Sequence, residues 1–294
     1  MLGVTGFLGS AIAKDLDARN LDWIGTSREP SVDPKIIQLE LSDHEAVLEL
    51  FNNFDVVINA VGSAKPKDFE EDPVNTLNTI WKNSVNLSQL LQRGKVSKLV
   101  HISSAGTVYG ELEDGIHEET STLDPISWYG KAKVIEELYL QNSSLTSGYD
   151  YLCLRVTNPF GNVQKTNHGF IDVLMNSVIS GNKFVFYKDC SPVRDFIYAD
   201  DMGFSAVELI TSQCCGVFNL GSGKSYSLED ITDYVNQKVA GKTCIFRETI
   251  KPDYDVLINK VCINKLIKHD AHRESLDIFK YIDNALKMAT EKIC

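Results

Sequence analysis

The sequence predicts an α/β fold built on a doubly wound parallel sheet, with a smaller interleaved C-terminal part. Three observations carry that expectation. Short apolar runs alternate through the first half with segments whose apolar residues recur at i, i+3 and i+4. Some of the runs, such as "DVVINAV" (55–61), are continuous, which suits strands covered by helices on both faces. Finally, Gly3, Gly6 and Gly9 form a G-x-x-G-x-x-G turn just ahead of the first helical pattern.

In chain order, Ser10–Arg19 reads as a helix, Leu21–Thr26 and Ile36–Leu41 as strands, and Asp43–Asn52 as a helix. The strand Asp55–Val61 and helix Thr76–Gln92 follow, then the strand Lys98–Ser103, the helix Tyr129–Gln141 and the strand Tyr151–Val156. Beyond Val156 the pattern loosens at Pro159, Gly161, Gly169 and Gly181, and one more strand is expected at Val217–Leu220.

Glycines let the backbone turn sharply and approach a pyrophosphate, while the helix N-terminus behind them supplies free N–H groups and a favourable dipole. Followed by a βαβα series, the turn implies a Rossmann-like dinucleotide-binding domain over residues 1–156, joined in its sheet by the strand near 217–220. Residues 157–294 are then mainly substrate-binding. Such a turn normally follows a buried strand of about five residues, yet only Met1 and Leu2 precede Gly3. That strand would be central, and its loss would strand buried backbone groups at ~1–3 kcal/mol each, against a total stability of ~5–15 kcal/mol. The first strand is therefore expected to be truncated in this sequence.

Composition narrows the class. The 294 residues are 43% hydrophobic and 23% charged, enough apolar material for a sizeable core. A net charge of -11 argues against a nucleic-acid partner. Cysteines 153, 190, 214, 215, 244, 262 and 294 form no C-x-x-C pair, as suits reduced thiols in a cytoplasmic protein. No apolar stretch approaches a membrane span and no signal peptide is evident. Histidines 44, 101, 117, 168, 269 and 272 lack metal-ligand spacing, with His269 and His272 expected in solvent, and no metal is assigned. "GSGKS" (221–225) ends like a phosphate-binding loop, but Phe218 stands where that motif needs glycine. A strand, a turn and a helix capped by Ser227 fit better.

"WYGKAK" (128–133) sets Tyr129 and Lys133 four residues apart, on one helical face. An ammonium there favours phenolate, so that tyrosine can exchange a proton with a sugar hydroxyl or ketone. At the end of the second strand, Thr26, Ser27 and Arg28 offer hydroxyls and a guanidinium for the 2′-phosphate of NADP; Glu29 would instead serve the ribose of NAD.

Together with "LVHISSAGTVYG" (99–110), "LRVTNPFG" (154–161) and "RDFIYADD" (194–201), these motifs resemble the extended short-chain dehydrogenase/reductases that act on nucleotide sugars. The resemblance runs from Gly3 to about Leu266. It implies that Gly3, Gly6, Phe7, Leu8 and Gly9 hold the pyrophosphate, with Glu40 and Leu41 beside the adenine. It makes Tyr129 the acid/base, and Lys133 its activator and a ligand of the nicotinamide ribose. Asn158 would touch the substrate diphosphate and Arg194 would neutralise it, unless Arg194 is instead salt-bridged to Asp195 or Asp200. One departure stands out. The family's usual catalytic hydroxyl falls on Ala105, leaving Thr107, slightly favoured, or Ser104 to replace it.

Three functions remain open on these residues. One is NADPH-dependent reduction of a nucleotide-linked 4-keto-6-deoxy-hexose for polysaccharide precursors. The second is NAD-dependent 4-epimerisation of a UDP-hexose, and the third a non-catalytic NADP-binding regulatory role. The substrate partner is a nucleotide-diphosphate sugar, and the resemblance implies a homodimer through helices 76–92 and 129–141.

Overall fold

In spatial order the main sheet runs β2 (Ile36–Gln38), β1 (Gly25–Ser27), Leu2, β3 (Val56–Asn59), β4 (Lys98–Ser104), β5 (Asp150–Val156) and β9 (Gly216–Leu220), every pairing parallel. The computed structural model describes residues 1–62, 64, 66–112, 115–161, 169–239 and 245–291; His168, Cys244 and Cys294 lie outside them.

The sheet is doubly wound. α1 (Phe7–Ala18) and α8 (Ala199–Thr211) cover one face, burying Ile12, Leu16, Met202 and Ala206 against Val100, Leu152 and Leu154. α2 (His44–Phe51), α4 (Pro73–Arg93) and α6 (Trp128–Ser147) cover the other, where Phe51, Leu87, Leu91 and Leu140 meet Val57, Leu99 and Cys153. Both faces of β4 and β5 are therefore apolar, which is why their sequences read as continuous runs.

The element bounds differ from the sequence expectations in ways that packing explains. α1 starts at Phe7, because the glycine turn passes directly into helix with Gly6 as its N-cap. α4 extends back to Pro73, capped by the Asp72 side chain on the Asn75 N–H, and α6 runs on to Ser147 before Gly148 turns it off. Leu21–Ile24 is not strand. Between β1 and β3 only Met1 and Leu2 offer partners: the Met1 ammonium bonds Ile24 O at 2.6 Å, Thr26 N bonds Met1 O, and Leu2 bridges Thr26 and Asn59. Below them a cavity of about 460 Å³ opens, lined among others by Leu16, Trp23, Phe51 and Val56.

The later chain adds α3 (Pro66–Glu71), α5 (Ala105–Val108), β6 (Asn158–Phe160), α7 (Phe170–Ser180), β7 (Phe184–Tyr187), β8 (Val193–Tyr198), β10 (Ser225–Ser227), α9 (Leu228–Lys238), β11 (Ile245–Thr249), β12 (Ile258–Asn259), α10 (Asn264–Lys268) and α11 (Ile278–Glu291). β8 pairs with β6, β10 and β12, β7 pairs with β11, and α7, α9 and α11 close over Phe160, Leu174, Phe196 and Ile231. Ser227 caps α9 by accepting from Glu229 N and Asp230 N, so "GSGKS" is a turn between β9 and β10. Among the described residues no helix is long and apolar enough to cross a membrane, and Cys153, Cys190, Cys214, Cys215 and Cys262 are free thiols. His269 is exposed, as expected, with its ring edge-on to Phe218 and Nδ1 3.2 Å from Cys214 Sγ.

A buried polar cluster ties the two halves of this architecture. Glu137 of α6 accepts from Arg155 of β5, with Nη2 at 2.6 Å, and from the Ser103 hydroxyl of β4. Arg155 also donates to the Tyr109 hydroxyl at 2.9 Å, and Tyr109 donates to Asn219 Oδ1 of β9 at 2.6 Å. Removing one partner of a buried ion pair leaves an uncompensated charge, so Arg155→Ala is expected to lose ~3–5 kcal/mol in urea unfolding. The double variant Glu137→Leu/Arg155→Met should lose less than Arg155→Ala; an equal or larger loss would show that the cluster acts through packing alone.

Candidate active site

The site forms where the C-terminal ends of the sheet strands meet the N-termini of α1 and α6. At the first of these, Gly3 adopts a φ of 75°, and a side chain at Gly9 would overlap the Gly3 carbonyl oxygen. Neither position admits a Cβ, and no side chain caps the helix at Gly6. The uncapped N-terminus of α1 thus points its dipole at the cradle, an arrangement that suits a pyrophosphate. Phe7 and Leu8 lie in that turn, half-buried.

At the end of β1, Thr26 and Ser27 are buried, and the Ser27 hydroxyl accepts from Glu29 N at 3.1 Å. Arg28 and Glu29 both face solvent, and among the described residues Arg28 takes part in no ion pair. Glu40 is exposed just past β2, while Leu41 packs on the α2–α4 side of the core. The structure thus sets Arg28, Glu40 and the glycine turn at the same end of the sheet.

The reacting end is organised by α5 and α6. Ser127 caps α6 through Gly130 N at 3.0 Å, which starts the helix so that Tyr129 is half-buried and Lys133, one turn on, is buried. A Cβ on Gly130 would come within 2.5 Å of the Thr107 carbonyl oxygen, so glycine is what lets α5 and α6 approach there. The Thr107 hydroxyl is buried and has no hydrogen-bond partner among the described residues. Ser104, at the α5 N-cap, makes no side-chain capping bond, and Ala105 is completely buried with its carbonyl held by Asn259 Nδ2. The Tyr129 ring meets Phe69 edge-on, their centroids 6.4 Å apart.

Lys133 pairs with Glu136 at 2.8 Å. Burial alone would drive off the lysine proton, but the Glu136 carboxylate and, behind it, Tyr129 outweigh that and hold the ammonium above its usual range. His101 of β4 is also buried here; its Nε2 has no partner among the described residues, and its Nδ1 is 3.4 Å from the Asn59 amide. Burial pushes its pKa down to about 4, so the ring is neutral at physiological pH.

The expected substrate residues are arranged differently from one another. Asn158 is half-buried, with Nδ2 bonded to Asp195 O at 2.8 Å. Arg194 is buried and its donors are taken by Asp255 Oδ1 at 2.9 Å and by the carbonyls of Val193, Val256 and Leu257. Its salt-bridge partner is thus Asp255, not Asp195 or Asp200: neighbouring strand residues point to opposite faces, so Arg194 and Asp195 diverge. Asp195 accepts instead from Ser222 N, Gly223 N and Thr157; burial lifts its pKa to about 7, against the pull of those donors. Asp201 braces the chain at Leu276 N, and Asp200 pairs with Lys14. Among the described residues no group of three or more His, Cys, Asp or Glu is placed to hold a metal. Sequence reasoning missed two members of this site, His101 and Glu136. Neither falls at a telling spacing, and only burial beside Lys133 marks them.

The model of the NAD dependent epimerase/dehydratase family matches residues 1–221. A putative UDP-glucose 4-epimerase of Methanocaldococcus jannaschii is 25% identical over 247 residues, covering 81% of each chain. The dTDP-4-dehydro-6-deoxyglucose reductase of Escherichia coli is 25% identical over 284 residues, covering 87% of this chain and 86% of its own. Among solved structures, the UDP-glucose 4-epimerase of Thermus thermophilus, in complex with NAD, is 25% identical with a TM-score of 0.86 and covers 98% of this chain and 97% of its own. A dTDP-glucose 4,6-dehydratase from Streptomyces venezuelae, at 18% identity and a TM-score of 0.88 over 99% of this chain and 96% of its own, shares the fold.

The neutral, buried His101 gives the site a pH signature. Between its ordinary pKa of 6.5 and about 4, the unfolded chain binds a proton there that the folded chain does not. Stability is therefore lost as pH falls through that window, by about 3 kcal/mol at its lower end. His101→Gln should flatten the acid side of a plot of unfolding free energy against pH, and an unchanged slope would show that other groups set it.

Proposed function

The chain belongs to the NAD dependent epimerase/dehydratase family, and on that premise we propose that it is a nucleotide-sugar oxidoreductase working at sugar C4. The direction we propose is reduction of a nucleotide-linked 4-keto-6-deoxy-hexose with NADPH. The observation that carries this reading is the α5–α6 joint, where Gly130 lets the first turn of α6, with Tyr129 and one turn on the buried Lys133, pack against the Thr107 backbone.

Gly3, Gly6, Phe7, Leu8 and Gly9 would hold the pyrophosphate, with Glu40 and Leu41 beside the adenine and Lys133 on the nicotinamide ribose. When bound, the dinucleotide supplies the hydride for C4. Tyr129 donates its phenolic proton to the ketone oxygen, and solvent returns that proton afterwards. The Lys133 ammonium stabilises the phenolate left behind. Thr107, whose buried hydroxyl otherwise lacks a partner, hydrogen-bonds the reacting oxygen in place of the hydroxyl missing at Ala105, with Ser104 as the alternative. Asn158 contacts the substrate diphosphate through the second N–H of its side-chain amide, the first being bonded to Asp195 O, and Arg194 does so only by exchanging one of its present acceptors. Arg28, exposed and unpaired at the end of β1, supports NADP(H) over NAD. Exposed Trp81, Leu138 and Leu145 on α4 and α6 support a homodimer through those helices.

A second reading, 4-epimerisation of a UDP-hexose with retained NAD, is favoured by the likeness to the Thermus thermophilus epimerase over 98% of this chain. Absorbance at 340 nm, with NADPH and a nucleotide 4-keto-6-deoxy-sugar, separates the two. Stoichiometric loss with NADPH and little with NADH is expected, and Arg28→Ala should erase that preference. No consumption, together with interconversion of UDP-hexoses, would replace the reductase by the epimerase. Tyr129→Phe is expected to lower turnover at least ~100-fold while dinucleotide binding stays unchanged. Thr107→Val should cost more than Ser104→Ala; the reverse order would move the hydroxyl role to Ser104.

A further inference from the structure

Lys133 is an ammonium in a place that does not favour charge. Its side chain is 9% exposed, that of Glu136 is 7% exposed, and their 2.8 Å contact is its one ion pair among the described residues. Other titratable groups face it. Tyr129 lies one turn back on α6, His101 comes from β4 and is neutral, and Cys153 comes from β5, where burial keeps the thiol protonated. Glu137, next along the helix, is committed to Arg155 and Ser103. No other carboxylate is available to Lys133 among these groups.

The pair is also oddly placed for a structural device. Glu136 and Lys133 sit at i and i+3 of a single helix, so their contact ties no two elements together. Exposed pairs at this spacing contribute little to stability, and burying both charges adds a desolvation cost. What the contact does achieve is local. It supplies the negative charge without which a buried amine loses its proton. A deprotonated Lys133 would give Tyr129 no cation to stabilise its phenolate.

We propose that Glu136 is a positioning residue for the reaction at Tyr129: its carboxylate keeps the buried Lys133 amine charged and fixed one helical turn from the phenol. The inference rests on the reading of Tyr129 and Lys133 as the acid/base pair, and extends it to a third member of the same helix.

The test uses the full chain and its Glu136→Gln and Glu136→Asp variants. Tyr129 ionisation is read as the absorbance at 295 nm that disappears in a Tyr129→Phe background, titrated with pH and without substrate. In Glu136→Gln its midpoint should rise by about one pH unit or more, because Lys133 sheds its proton. Glu136→Asp, which keeps the charge, should restore most of the original value. In turnover assays the alkaline fall of kcat in Glu136→Gln should begin about one unit lower, with KM within about twofold. An unmoved Tyr129 titration in Glu136→Gln overturns the proposal. If that variant does not fold, as judged by circular dichroism, Glu136→Asp decides alone: a small upward shift supports the proposal and none overturns it. A shifted titration in a chain that turns over no nucleotide sugar would sink the proposed reaction and leave the role of Glu136 standing.

Discussion

The buried contact between Glu137 and Arg155 is the constraint on which the rest depends. It is the point where α6, carrying Tyr129, is fastened to β5 of the sheet. Helix packing by apolar side chains is tolerant to small slides along an axis, whereas a charged, hydrogen-bonded pair has one geometry. Ser103, Tyr109 and Asn219 extend that geometry to β4, the end of α5 and β9. The pitch and register of α6 are therefore fixed by polar contacts in the core, and the side chains one and two turns earlier, Lys133 and Tyr129, inherit that precision.

Everything nearer the surface follows from this placement. With α6 held against β4, its first turn can approach α5 only because residue 130 is glycine, which sets that turn against the Thr107 carbonyl. The same packing buries Lys133, Glu136 and His101 together, so charge there is set by mutual compensation. One cation and one anion pair off, and the histidine stays neutral.

The glycine turn obeys a different logic. There the backbone sets the shape: Gly3 and Gly9 leave no room for a Cβ, and no side chain caps α1 at Gly6. Between β1 and β3 the sheet is thin, held by Met1 and Leu2 alone, and the core beneath them opens into a cavity. The C-terminal part sets the other wall of the cleft, with Arg194 locked to Asp255 and to three carbonyls of neighbouring strands.

The doubly wound fold, the glycine turn ahead of α1 and the shared helical face of Tyr129 and Lys133 were legible in the chain, because each rests on local chemistry. Apolar periodicity reports which faces are buried, glycine spacing reports where the backbone must turn, and four-residue spacing puts two side chains on one helical face. Glu136, His101 and the saturation of Arg194 were not legible. They depend on which strand lies beside which helix, and an ion pair such as Arg194–Asp255 joins residues far apart in the chain. Sequence spacing fixed the candidates for the chemistry. Tertiary burial decided which of them carry charge, because desolvation and the choice of counter-charge exist only once the chain is packed.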